Sequence, residues 1–152
     1  MAGRYLEEFV EGEVIVHLPS KTLTQAENAL FCSLTLNPQA LHIDEIYAGS
    51  LGHPAPVVNG IYTLGLLLGL SVADTTQGTT LGNLSMSVEY PAPTYPGDTV
   101  TAESEVISVR PSESKGDRGV VEIVHRLRNQ DGDVVVVCRR SGMIRRLPSQ
   151  HE

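Results

Sequence analysis

The spacing of hydrophobic positions changes twice along the chain. Val14, Ile15 and Val16 form a short β-prone run, closed by Leu18-Pro19-Ser20. Thr24-Gln25-Ala26-Glu27 follows, with a hydroxyl three residues ahead of a carboxylate, the capping-box signature of a helix start. Ala26, Ala29, Leu30, Ser33 and Leu34 then recur at helical spacing, which predicts a helix over 25–34. Asn37-Pro38 ends it, because a residue before proline disfavours helical dihedrals. Asp44 is placed to cap a short helix over 45–48, and 49–56 is a Gly/Pro loop.

Residues 57–72 read VVNGIYTLGLLLGLSV, apolar on nearly every face. A helix of that kind is expected to be surrounded by protein. Gly60, Gly65 and Gly69 fall on roughly one face, where a sheet could pack closely. From Gly82 onward the period becomes two. Strands are predicted over 83–90, with Leu84, Met86 and Val88 on one face, and over 100–109, 120–128 and 133–147. Pro96-Gly97-Asp98 makes a turn, 111–119 a polar loop, and Asn129-Gln130-Asp131-Gly132 a hairpin turn. A strand, helices, one apolar central helix and an antiparallel meander make an α+β layout. An antiparallel curved sheet wrapped around a long central helix is the hot-dog fold. Such a sheet leaves an edge open, so edge-to-edge pairing into a homodimer is expected. One domain is predicted over 1–148, followed by a disordered tail at 149–152.

Composition narrows the function classes. A chain of 152 residues that is 41% apolar and 19% charged is globular and suits one core. Lys plus Arg number 11 against 18 acidic residues, a net charge of -7. That balance argues against nucleic acid and against an anionic membrane surface. The apolar run from Ile61 to Ala73 is too short to span a bilayer, and the start shows no apolar signal region. With no Trp, 2 Phe and 5 Tyr, the core must be built from Val, Leu and Ile. Cys32 and Cys138 show no motif spacing and read as buried thiols in a reducing compartment, the cytoplasm by default.

The chain carries no CxxC, HExxH, P-loop or GxSxG pattern. Its histidines are too scattered to suggest a metal site. Two stretches remain: Thr35-Leu36-Asn37-Pro38-Gln39-Ala40-Leu41-His42-Ile43-Asp44, and His53-Pro54-Ala55-Pro56-Val57-Val58-Asn59-Gly60. They resemble the signature of the MaoC-like dehydratases, the (R)-specific enoyl-CoA hydratase family. That family's loop reads roughly D-x-N-P-x-H and its central helix opens P-x-x-H-G. Asn37 to His42 aligns onto the first without gaps, and Pro56 to Gly60 onto the second. The Gly97-Asp98-Thr99 turn, the Asn129 to Gly132 hairpin and the Arg-rich last strand also look familial. The departures are Asn37 at the family's Asp, Gln39 and Ala40 at its Asn and Pro, and Asn59 at its helix-opening His. With Leu41-His42-Ile43-Asp44, Val58-Asn59 and Gly69-Leu70-Ser71-Val72-Ala73-Asp74, these bring the chain nearer a subgroup resembling mesaconyl-CoA and itaconyl-CoA hydratases.

The resemblance implies a catalytic His42 and Asn37, with Gln39, Pro56, Asn59 and Gly60 binding substrate. His42 is the loop side chain able to shuttle a proton near neutral pH. Asn37 cannot be a base; its amide can orient water or polarise a thioester carbonyl, or the residue can simply serve the turn. Asp44 reads as a helix cap. Asn59-Gly60 sits where free helix N–H groups could hold an enolate oxygen, or where an asparagine merely caps. Arg139, Arg140, Arg145 and Arg146 are available to CoA phosphates, or to the solvent on a strand that points both ways. The implied reaction hydrates a small branched or dicarboxylic trans-2-enoyl-CoA, mesaconyl-CoA-like, with no cofactor beyond the CoA of the substrate. Two competitors stay open. An acyl-CoA thioesterase on this fold would want a carboxylate on the central helix, yet 57–72 has none and Asp74 lies at its far end. A catalytically inactive acyl-CoA-binding protein is the other.

Overall fold

The computed structural model describes residues 3–148; the tail expected at 149–152 lies outside the described residues. The elements are β1 (Val14–Thr22), α1 (Gln25–Leu34), α2 (Glu45–Ser50), α3 (Gly60–Thr75), β2 (Thr80–Glu89), β3 (Thr99–Pro111), β4 (Arg118–Arg128) and β5 (Val134–Arg145), with single 3-10 turns at Leu6–Glu8 and Ala40–His42. The strands form one antiparallel sheet in the order β1-β3-β4-β5-β2. It packs against α3 through β1, β3, β4 and β5, the α+β hot-dog arrangement expected from the sequence.

Local chemistry accounts for the boundaries. Thr24 caps α1 by accepting the Glu27 N–H at 3.2 Å, and Asp44 caps α2 by accepting from Ile46 and Tyr47. Asn129 closes the β4–β5 hairpin, its side chain accepting from Asp131 and Asp133, with Gly132 at φ 86°. β1 runs past Pro19, where the sequence predicted its end. As an edge strand it tolerates a residue without an N–H, and its register shifts between His17 and Lys21.

The central helix differs from expectation in three ways. It starts at Gly60, not at 57, because the N–H groups of Val57 and Val58 bond to Leu41 and Thr94 in extended backbone. It is not enclosed: the sheet buries Thr63, Leu67, Ser71 and Thr75, one residue per turn, while Ile61 is 60% exposed and Val72 40%. The sheet does not approach the glycine stripe either. A Cβ at Gly65 or Gly69 would meet nothing, and at Gly60 it would meet the Tyr90 side chain.

Two apolar clusters line the concave face of the sheet. One gathers Leu23, Val58, Leu67, Val100, Leu127 and Cys138; the other gathers Leu6, Phe9, Ile15, Val106, Ile123 and Ile144. Full burial of a side chain such as Leu67 contributes about 1.5–3 kcal/mol. Between the clusters each of four neighbouring strands places one polar residue: His17, Ser104, His125 and Arg140. Arg140 Nε donates to His125 Nε2 at 2.8 Å. With neutral rings, His125 Nδ1 then donates to Ser104 Oγ at 2.6 Å, Ser104 to His17 Nε2 at 2.6 Å, and His17 Nδ1 to Asp74 Oδ2 on α3 at 2.8 Å. Every hydrogen in this row points from the guanidinium towards the carboxylate.

Candidate active site

Asn28 organises the site. This buried residue of α1 donates through Nδ2 to the His42 carbonyl at 2.9 Å and accepts the Asn59 N–H on Oδ1 at 2.9 Å. One amide thus ties α1, the 35–44 loop and the start of α3 together. Gln25 also donates to the His42 carbonyl, at 3.0 Å. The turn leaving α1 carries Leu36 at φ 53°, an unfavourable backbone for a non-glycine residue.

His42 Nδ1 lies 2.7 Å from the Val57 carbonyl. A carbonyl only accepts, so Nδ1 carries the hydrogen and the neutral ring keeps its lone pair on Nε2. His42 lines a cavity of about 180 Å³, shared with Val57, Val58, Gly60, Thr63, Tyr90, Ala92, Pro93, Thr94 and Val135. No Asp, Glu, Lys or Arg is among these lining residues. Asn59 caps α3, accepting the Ile61 N–H on Oδ1 at 2.9 Å. The Gly60 N–H belongs to the same positively polarised helix end, at the cavity wall.

Of the six residues singled out in the sequence, the structure brings His42 and Gly60 to one cavity. Asn59 is buried behind it as the cap, its Nδ2 3.8 Å from Cys32 Sγ. Pro56 is buried and does not line the cavity. Asn37 and Gln39 do not line it either: Asn37 Oδ1 accepts the Gln39 N–H at 3.0 Å, and the Gln39 carbonyl accepts the His42 N–H. Sequence reasoning missed Asn28 and Tyr90. A signal for Asn28 existed: it lies four residues before Cys32, on the buried face of α1.

The last-strand arginines divide. Arg139 pairs with Glu122 and Arg146 with Glu7, both at 2.6 Å; Arg145 is exposed; Arg140 turns inward to His125. Two wider surface grooves, of about 590 and 620 Å³, are walled by ion-paired side chains such as Arg146 and Arg4. Among the described residues no helix is long and apolar enough to cross a membrane.

Comparison with known proteins finds relatives over most of the chain. Residues 8–126 match the family described as MaoC like domain. The chain is 34% identical over 146 residues to mesaconyl-CoA hydratase from Cereibacter sphaeroides, covering 95% of this chain but 42% of that protein. It thus spans about two fifths of that relative's length. It is 30% identical over 117 residues to the (R)-specific enoyl-CoA hydratase of Aeromonas caviae, covering 77% of this chain and 83% of that one. A crystal structure described as a putative MaoC domain protein dehydratase, from Chloroflexus aurantiacus, superposes with a TM-score of 0.90 at 30% identity, over 98% of this chain and 43% of that one.

Proposed function

Because the chain belongs to the MaoC-like domain family, we propose that it reversibly hydrates a trans-2-enoyl-CoA thioester to the 3-hydroxyacyl-CoA. The observation that carries this reading is the pairing of a free His42 Nε2 with the N-terminal end of α3 in one cavity. Nε2 takes a proton from water as the water oxygen bonds to the β-carbon. Electron density moves to the thioester oxygen, which the Gly60 N–H at the helix end stabilises as it gains charge. The imidazolium then returns the proton to the α-carbon, so one water is added and nothing else is consumed. The part we assign to Asn37, which stands outside the cavity lining, is to orient the water through its amide hydrogens, since its carbonyl oxygen is already committed to Gln39. Each step uses groups of this chain, so the scheme needs no metal or redox group, and CoA arrives as part of the substrate.

The acyl group we assign is small and branched or dicarboxylic, as in mesaconyl-CoA. The cavity volume and the mesaconyl-CoA hydratase relative support it. The assembly we assign is a homodimer. β2 ends the sheet with Leu84 and Met86 exposed, and α3 turns Ile61 and Val72 outward, so a second copy would cover both. Cys32 and Cys138 are buried free thiols, which suits a cytoplasmic, reducing setting.

The test incubates the protein with a panel of enoyl-CoAs, mesaconyl-CoA included, following enoyl absorbance and free thiol together. Loss of absorbance without thiol release is expected. Thiol release would identify a thioesterase, and binding without either change an inactive acyl-CoA-binding protein.

A further inference from the structure

We propose that Tyr90 is a catalytic residue of this site: its phenol O–H is a second donor, beside the Gly60 N–H, to the thioester oxygen as that oxygen becomes an enolate. The proposal rests on the hydratase reading above and concerns the same cavity. Tyr90 follows the last residue of β2 and precedes Pro91, so its position is set by the strand end on one side and a fixed proline φ on the other. Its ring lies directly against the first residue of α3. A Cβ built on Gly60 would stand 2.9 Å from Tyr90 Cε1, 3.1 Å from Cζ and 3.3 Å from Cδ1. The side of the ring that approaches the helix end is therefore Cδ1–Cε1–Cζ, which includes the carbon that carries the hydroxyl. Gly60 permits this approach because it has no side chain; alanine there would push the ring away.

Both groups line the cavity into which His42 opens. Of the two other hydroxyls lining the cavity, those of Thr63 and Thr94, the Thr63 Oγ1 is already committed, donating to the Gly60 carbonyl at 2.9 Å. Tyr90 is 45% exposed, and its partial burial raises the phenol above its ordinary range, so it keeps its proton at neutral pH and remains a donor. A neutral donor suits an oxygen whose charge appears only on the way to the enolate. It strengthens as the charge forms, and it leaves no cation in the cavity between turnovers.

The experiment compares wild-type protein with Tyr90→Phe, which keeps the ring against Gly60 and removes only the O–H. Three quantities are read: kcat and KM for the best enoyl-CoA of the panel, Kd for the saturated analogue butyryl-CoA, and Tm. The expected result is a kcat lowered by roughly a hundredfold to a thousandfold, the order seen on removing an oxyanion donor. KM and the butyryl-CoA Kd should stay within about threefold and Tm unchanged, because the enolate, not the ground-state carbonyl, loses its partner. A Tyr90→Phe protein with wild-type kcat overturns the proposal and leaves the hydratase reading intact. A weaker butyryl-CoA Kd with unchanged kcat overturns it too, making Tyr90 a wall of the cavity. Wild-type protein that binds butyryl-CoA yet hydrates no enoyl-CoA overturns the hydratase reading and this assignment with it.

Discussion

The two ends of α3 use similar residues to opposite effect. At the N-terminal end, His42 has one ring nitrogen bound to the Val57 carbonyl and the other directed to a cavity. At the other end of this helix, about 24 Å long for its 16 residues, the row from Arg140 to Asp74 occupies both nitrogens of His17 and of His125. His17, Ser104 and His125 are fully buried. Asp74, His17 and Ser104 are even connected in the order of a nucleophile's triad. Ser104, however, gives its hydrogen to His17, accepts one from His125, and has no surface on which to meet a substrate. Reactivity therefore follows the unfilled lone pair rather than the residue type. One end is a site because His42 keeps an unfilled nitrogen at a cavity; the other is a strut because both ring nitrogens of each of its histidines are filled.

The contrast breaks most visibly at His42. His42→Ala should lower kcat/KM for hydration by a hundredfold or more, general acid–base terms being typically about 10²–10⁴. The protein should stay cooperatively folded, since one loop-to-carbonyl hydrogen bond is lost. Steady-state kinetics with a thermal melt reads both. A variant hydrating at the wild-type rate would remove His42 from the chemistry.

Ser104→Ala should show the reverse pattern. It leaves the His125 Nδ1–H and the His17 Nε2 lone pair buried without partners, at about 1–3 kcal/mol each, so stability should fall by about 2–6 kcal/mol. Molecules that remain folded should keep the wild-type kcat, because the row and the cavity share no residue. Urea unfolding and kinetics on the folded fraction would show whether the two ends are independent.

The row should also set an acid limit on the fold. Burial, chiefly, and then the charge of Arg140 hold the His125 pKa down to about 3, against an ordinary 6.5. The folded state therefore prefers neutral His125 more strongly than the unfolded chain does. This contribution is complete above about pH 6.5 and is lost as pH falls towards 3, at about 1.4 kcal/mol per unit. By about pH 4.5 the loss is about 2–3 kcal/mol. Chemical denaturation at pH 7.5 and pH 4.5 measures it. His125→Gln should show a flatter dependence even if less stable overall.

The element order was readable because periodicity and caps are local. Thr24 with Glu27, Asp44, and Asn129 to Gly132 each act within a few residues, and the structure uses each as a cap or turn. What could not be read is set by register between distant strands. The sequence shows a polar residue inside each of the alternations Ile15-His17, Ala102-Ser104-Val106, Ile123-His125-Leu127 and Cys138-Arg140. It does not show that Ser104 opposes His125, or that a helix end 57 residues from His17 supplies the terminal acceptor. The outward face of α3 was misread for a related reason. Apolar composition shows that a helix wants cover, not whether its own chain provides it. At the site, a pattern of spacing brought attention to His42 and Gly60, whereas Asn28 acts across three segments through a single amide.

Asn37 offers the smallest and most discriminating test, because its two amide atoms do separate things. Oδ1 accepts the Gln39 N–H and holds the turn; the Nδ2 hydrogens are what it can offer to a water or a carbonyl oxygen. Asn37→Asp keeps the acceptor and deletes the donors, so the loop should fold as before, with Tm close to wild type. Asn37→Ala deletes both and should cost about 1 kcal/mol of stability for the lost turn bond. If Nδ2 orients the attacking water, both variants should lower kcat by a similar and modest factor, roughly tenfold, well short of His42→Ala, since an orienting amide transfers no proton. If the residue serves the turn alone, Asp should match wild type in kcat and Tm while Ala loses only stability. The pair separates loop from chemistry inside one side chain, the same distinction that divides the two ends of α3.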